Sequence, residues 1–250
     1  METGNWENES DFEFRPDFIK LANSEIKRIG LFGGTFNPIH FGHLRAAKEA
    51  EEEFDLDRVY LIPSAFPPHK SSEDIADPED RLEMIRMAIS DCPELMVSDV
   101  ELMRSGISYT IDTIHYFKSV LPEDTELFFI VGIDAFLEID LWKFHKELFD
   151  MVPFIVMARP GVRGTSPAYL RTRWKSLENF IQTRISGGYA FSDAQTCYVH
   201  PEKKTISLFD VTLLDISATK IRKRIREGMS VRFMLPREVE HFIRKKGLFV

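Results

Sequence analysis

The stretch from Arg28 to Leu44, RIGLFGGTFNPIHFGHL, constrains this chain more than any other. Ile29, Leu31 and Phe32 form a short apolar run that ends at Gly33 and Gly34, the pattern of a buried strand entering a turn. Two glycines at a strand end let a ligand approach the backbone closely. Thr35, Asn37, His40 and His43 follow, and a helix is predicted from Gly42 to Phe54. A helix N-terminus exposes N–H groups and carries partial positive charge, so this order suits a phosphate. Histidines placed there add donors to phosphate oxygens. Each piece also has an ordinary use: a Gly-Gly pair makes a turn, and a histidine can be a surface or core residue. His40 and His43 are spaced as zinc ligands could be, but the third ligand and general-base Glu of such helical pairs do not follow, so no metal site is assigned. Neither G-x-G-x-x-G nor G-x-x-x-x-G-K-[ST] occurs, which argues against a plain dinucleotide or P-loop site.

Strand-like and helical stretches then alternate. Val59 to Ile62 reads as a second strand, followed by Pro63 and the stretch Ser64 to Lys70, whose prolines fix the backbone and present His69 and Lys70 together. Taken alone, that stretch is an exposed turn with a solvated lysine. Asp80 to Ser90 forms an amphipathic helix started by Asp77 or Pro78, and Leu95 to Val97 a short strand. Thr110 is the expected N-cap of the helix that carries Ile111, Ile114, Phe117 and Val120. Leu127 to Val131 is the most apolar strand and runs into Gly132, Ile133 and Asp134. A carboxylate just past a strand end suits a ribose diol, or caps the next helix. Trp142 is a core, interface or ligand-platform residue. Phe154 to Met157 is a further strand, stopped by Arg159-Pro160-Gly161; Arg159 there fits a phosphate or pairs at the surface.

Towards the C-terminus, Leu170, Trp174, Leu177, Phe180 and Ile181 mark one amphipathic helix, and Gly187 to Val199 reads as strand and turn. Ile206 to Leu208 and Val211 to Leu214 are strand-like. Ser217 then caps a helix that carries Thr219, Lys220, Arg222, Arg224 and Arg226. Cations near a helix N-terminus oppose its dipole, which is easier to explain if an anion sits there. Lys223, Arg224 and Arg226 also serve as a solvated face. Pro236 to Lys246 is a last helix, closed by Gly247. Alternating strands and helices imply an α/β fold, a Rossmann-like doubly wound parallel sheet with helices on both faces. Ligands in such folds bind beyond the strand C-termini, where Gly33, Lys70, Gly132, Arg159 and Ser217 would converge.

Composition narrows the class. The 250 residues suffice for one sizeable core, and 44% are hydrophobic. No apolar run reaches bilayer length and no signal peptide opens the chain, so a soluble, cytoplasmic protein without a membrane partner is expected. A net charge of −8 argues against a nucleic-acid binder. An acidic protein that takes polyanions must gather its positive groups locally, and His40, His43, Lys70, Arg159 and the cluster from Lys220 to Arg226 are the candidates. Cys92 and Cys197 lie far apart without C-x-x-C spacing and are read as free thiols. Residues 1–27 are polar and acidic, with Phe12, Phe14 and Phe18 among them, and form an N-terminal extension to which no chemistry is assigned.

Gly33 to Leu44, GGTFNPIHFGHL, resembles the first signature of the HIGH-type nucleotidyltransferases, most closely the bacterial nicotinate-nucleotide adenylyltransferase family, in which Asp is usual at the Asn37 position. Ile216 to Arg222, I-S-x-T-x-I-R, resembles the second signature. The resemblance spans Ile29 to Leu248, is weak over Val162 to Lys204, and marks 162–204 as an elaboration within a domain of residues 28–250. It implies that ATP and nicotinate mononucleotide react to nicotinate adenine dinucleotide and pyrophosphate, with Mg²⁺ accompanying ATP. It implies catalytic roles for His40, His43 and Arg222. ATP would be held by Gly33, Gly34, Thr35, Phe36, Gly132, Asp134, Ser217 and Thr219, and the mononucleotide by Lys70, Thr110, Trp142 and Arg159. Transfer to another phosphate such as phosphopantetheine is the alternative within enzymes, and a nucleotide-sensing binding protein the alternative outside them. An aminoacyl-tRNA synthetase is disfavoured by the length, the acidity and the missing K-M-S-K-S. Self-association, and preference for the acid over the amide mononucleotide, are left open.

Overall fold

A computed structural model describes residues 26–65, 75–158 and 177–250. Lys70 and Arg159 therefore lie outside the described residues, as does most of the helix expected around Leu170.

Among the described residues, eight strands form one sheet in the order β3-β2-β1-β4-β5-β8-β7-β6. They are β1 (Arg28–Gly34), β2 (Arg58–Pro63), β3 (Leu95–Val97), β4 (Glu126–Gly132), β5 (Phe154–Ala158), β6 (Ala190–Ser192), β7 (Cys197–Val199) and β8 (Ile206–Asp210). The helices are α1 (Phe41–Glu53), α2 (Pro78–Ala88), α3 (Thr110–Val120), the short α4 (Ile133–Phe136), α5 (His145–Met151), α6 (Ala218–Arg226) and α7 (Arg237–Lys246). The first six strands in that order are parallel, as expected; β7 and β6 turn antiparallel and add a hairpin at one edge. That hairpin comes from the stretch marked as an elaboration.

Strand periodicity explains why helices cover both faces. Ile29, Leu31, Leu127, Phe129, Val131, Phe154 and Val156 point to one side, where they pack with Ile111, Ile114 and Phe117 of α3 and Leu148 and Phe149 of α5. Phe32, Val59, Leu61, Ile130, Ile155 and Met157 point to the other, against Ala46, Ala47 and Ala50 of α1, Met84 and Ile85 of α2, Ile221 of α6, and Val239 and Ile243 of α7. Burial on both sides is why these strands read as near-continuous apolar runs. Among the described residues, no helix is long and apolar enough to cross a membrane.

Two expectations are corrected. Val211 to Leu214 is not a strand: Val211 N donates to Ala158 O at 3.1 Å, and then Thr212 N donates to Glu49 Oε2 at 2.7 Å, which draws the chain off the sheet. Thr110 is the first helical residue rather than the N-cap of α3; Tyr109 holds the cap position in an extended conformation. Cys92 lies just before β3 and Cys197 in β7, near opposite edges of the sheet, and both are free thiols.

Candidate active site

The strand order reverses direction at β1, whose neighbours are β2 and β4. The crevice of a doubly wound sheet opens at such a switch, beyond the C-termini of the two adjoining strands. Here those ends are Gly33–Gly34 and Gly132, so the two glycine turns flank the same opening. A Cβ added at Gly132 would meet nothing within 4 Å, which leaves its backbone open to a ligand. Asp134 is exposed in the first turn of α4, directly past β4.

Past β1 the chain folds back on itself. Phe36 adopts φ 46° with its ring 1% exposed, edge-on to Phe32 and to His43 at centroid distances of 5.7 and 5.1 Å. Its side chain therefore belongs to the core, and only its backbone can serve a nucleotide. Asn37 Oδ1 accepts from Ala76 N at 3.0 Å. His40 occupies the N-cap of α1, where its carbonyl accepts from His43 N and Leu44 N. The His40 and His43 rings stack at 3.7 Å with 20° between planes. Gly42 permits this, because a Cβ there would lie 3.0 Å from the His40 ring. The two imidazoles thus stand together at a helix N-terminus, as the spacing predicts.

The C-terminal motif arrives at the same place. Ser217 Oγ accepts from Lys220 N at 3.2 Å and caps α6 as expected. One turn on, Arg222 is 8% exposed and donates from Nη1 to the Asn37 carbonyl at 2.9 Å, with Nη2 at 3.5 Å from Thr219 Oγ1. Lys220 pairs with Asp215 at 2.7 Å and is thereby turned to the rim. Glu49 of α1 fixes the approach to α6 by taking both the N–H and the hydroxyl of Thr212, and it pairs with Arg45 at 2.5 Å. Burial pushes the Glu49 carboxyl up, but the hydrogen bonds from Thr212 and Arg45 outweigh it and hold the group below the usual carboxylate range.

On the β4 side, Trp142 ends a single 3₁₀ turn (Ile139–Leu141) and stands edge-on to Phe129 at 6.0 Å, half-buried. Lys143 Nζ lies 4.2 Å above the Tyr109 ring and so joins the Trp142 segment to the start of α3, where Thr110 is half-buried. Among the described residues, no group of three or more His, Cys, Asp or Glu side chains is arranged to hold a metal.

Sequence reasoning missed two supports of this site. Asn37 accepts from Ala76 N, just before α2, and from Arg222 of the second motif, although its type alone suggested only a departure from a pattern. Arg81, 0% exposed in α2, sends its guanidinium to three backbone carbonyls. An arginine inside an amphipathic helix carries no sign in sequence that it faces inward.

The model of the cytidylyltransferase-like family matches residues 31–224. A protein of Desulfatibacillum aliphaticivorans described as a probable nicotinate-nucleotide adenylyltransferase is 42% identical over 225 residues, covering 89% of this chain and 100% of its own. One from Citrifermentans bemidjiense with the same description is 41% identical and covers 89% and 98%. The Plasmodium falciparum nicotinic acid mononucleotide adenylyltransferase, solved in complex with NaAD, superposes with a TM-score of 0.63 over 89% of this chain and 97% of its own at 17% identity, a likeness of fold.

Proposed function

Because the chain belongs to the cytidylyltransferase-like family, and within it to the nicotinate-nucleotide adenylyltransferases, we propose that its crevice joins ATP to nicotinate mononucleotide, giving nicotinate adenine dinucleotide and pyrophosphate in NAD biosynthesis. The observation that supports this reading most is the meeting of the two motifs. Arg222 reaches the Asn37 carbonyl, across 185 residues of sequence, beside the stacked His40 and His43.

An oxygen of the mononucleotide phosphate bonds to the α-phosphorus of ATP. The bond from that phosphorus to the oxygen bridging to the β-phosphate breaks, and its electron pair leaves with pyrophosphate. The attacking phosphate is already ionised, so no general base or covalent nucleophile is needed. Rate enhancement then rests on positioning and on neutralising charge. His40, His43 and Arg222 are assigned to the triphosphate and the leaving pyrophosphate, with Ser217 and Thr219 at the start of α6 beside them. The backbone from Gly33 to Phe36, with Gly132 and Asp134, is assigned to adenosine. Thr110 and Trp142 are assigned to the pyridine end, with Lys70 and Arg159 at the mononucleotide phosphate. The donor set at the α1 and α6 starts fits phosphates rather than a carboxylate-bound ion, so Mg²⁺ would enter with ATP, held by phosphate oxygens and water, and would add charge neutralisation.

Pyrophosphate release from ATP and Mg²⁺ tests the assignment, with nicotinate mononucleotide, nicotinamide mononucleotide and phosphopantetheine side by side. Preference for the first is expected. Release with phosphopantetheine alone would keep the crevice and discard the acceptor assignment. ATP binding without release from any of them would favour the binding-protein reading.

A further inference from the structure

A chain of polar contacts runs beneath the candidate site without entering it. Arg81 Nη1 donates to Thr35 O at 2.9 Å, Nε to Ala76 O at 3.1 Å and Nη2 to Ala65 O at 3.4 Å. Thr35 belongs to the glycine turn after β1, and Ala65 is the second residue past β2. The N–H of that same Ala65 donates to the Glu101 carboxylate. Glu101 also accepts from Thr113 Oγ1 at 2.9 Å, in the first turn of α3. Arg104 continues the chain, with Nη1 donating to Ser108 Oγ and lying 3.5 Å from Thr113 Oγ1.

We propose that Arg81 and Glu101 are positioning residues which grip the two backbone groups of Ala65 from opposite sides, and so set the acceptor half of the crevice against the ATP half. Ala65 is 7% exposed, so water cannot substitute at either group. The two side chains divide the task. Glu101 ties Ala65 to Thr113, and Arg104 ties Thr113 on to Ser108, all on the side where Thr110 begins α3. Arg81 alone crosses to Thr35 on the nucleotide side. Opposite charges suit the arrangement: burial pulls the Arg81 guanidinium down, and Asp77 and Glu101 oppose that pull. Burial likewise pushes the Glu101 carboxyl up against its hydrogen bonds. A fully buried guanidinium with carbonyl partners has a single orientation, and this is how a floppy side chain becomes a rigid strut.

The inference rests on the reaction proposed above for the names of the two substrates, and its test separates the two ideas. Pyrophosphate release by the unaltered chain decides the reaction by itself. Steady-state kinetics of Glu101→Ala, Glu101→Gln and Arg81→Lys then decide the positioning roles. Glu101→Ala is expected to raise KM for nicotinate mononucleotide about tenfold and leave KM for ATP within about twofold, since a small misplacement of a binding group has effects of this size. Arg81→Lys is expected to raise both KM values. Glu101→Gln, which keeps one acceptor oxygen, falls between Glu101→Ala and the unaltered chain. Loss of kcat with both KM values unchanged would mean fewer folded molecules only and would overturn the roles. Amide hydrogen exchange gives an answer without turnover. In Glu101→Gln the Ala65 amide should exchange faster while amides of β1 stay as protected as before; unchanged exchange at Ala65 would overturn the grip.

Discussion

At the scale of single residues, the site is built from side chains whose freedom has been removed. Phe36 shows how. A non-glycine residue at positive φ costs about 1–2 kcal/mol, whereas burying a phenyl ring contributes about 1.5–3 kcal/mol. Burial wins, and the turn after β1 is held by its own core-facing ring. His43 stacks on His40 and meets the Phe36 edge, so its imidazole is aimed before any ligand arrives. Donors aimed in advance stabilise charge that develops in a transition state, the role proposed for His43. His43→Ala should therefore lower kcat by about 10²-fold while the variant keeps a cooperative melt. Turnover within a few-fold of the unaltered chain would remove His43 from the reaction.

Among elements, the contact that matters most joins α1 to the approach of α6. Glu49 takes two hydrogen bonds from Thr212, and the partial charge of α6 is thereby brought to the start of α1. Because the folded carboxyl is held below its unfolded value, its contribution is complete above an unfolded pKa of about 4.3 and is lost as pH falls through the lower folded value. Glu49→Gln should cost about 1–3 kcal/mol near pH 7. The gap in melting temperature between it and the unaltered chain should narrow as the pH is taken below about 4. A gap that stays constant with pH would show that the charge on Glu49 plays no part. Most elements were legible because their signals are local: the Ser217 cap, Pro78 at a helix start, and Gly247 at φ 66° past α7. Val211 to Leu214 misled because it is a short, mostly apolar run that starts with two β-branched residues, as a strand does. What ends the sheet there is a glutamate 163 residues earlier, which no local pattern records.

For the whole molecule, the position of the crevice follows from strand order. Alternation of elements implied a parallel sheet, but only the pairing of β1 with both β2 and β4 locates the switch point between them. The side chains assigned to ligands were chosen from residue type and motif. The side chain proposed to position them, Arg81 above all, could not be read, since its partners are backbone carbonyls brought near by tertiary folding. The family model starts at residue 31 and β1 at Arg28, so residues 1–25 precede every described part of the crevice. Deleting residues 1–25 should leave pyrophosphate release within about twofold and the melting temperature within about 4 °C, the shift that roughly 1 kcal/mol would give. A larger loss of either would assign that segment a part in the domain.

The reach of Arg222 across 185 residues has a bearing on how the chain is born. A ribosome delivers the histidines early and the arginine near the end. β1 also waits for β4, about a hundred residues later, before its second border is paired. Long-range pairing of this kind slows folding, and large domains pass through partly formed states. A nascent chain that has emerged only through β5 would hold the glycine turn and both imidazoles, yet lack the guanidinium that binds the Asn37 carbonyl between them. ATP is abundant wherever proteins are made, and an incomplete chain with a finished site could waste it. Splitting the two motifs between the ends of the chain means that translation must be all but over before the site exists.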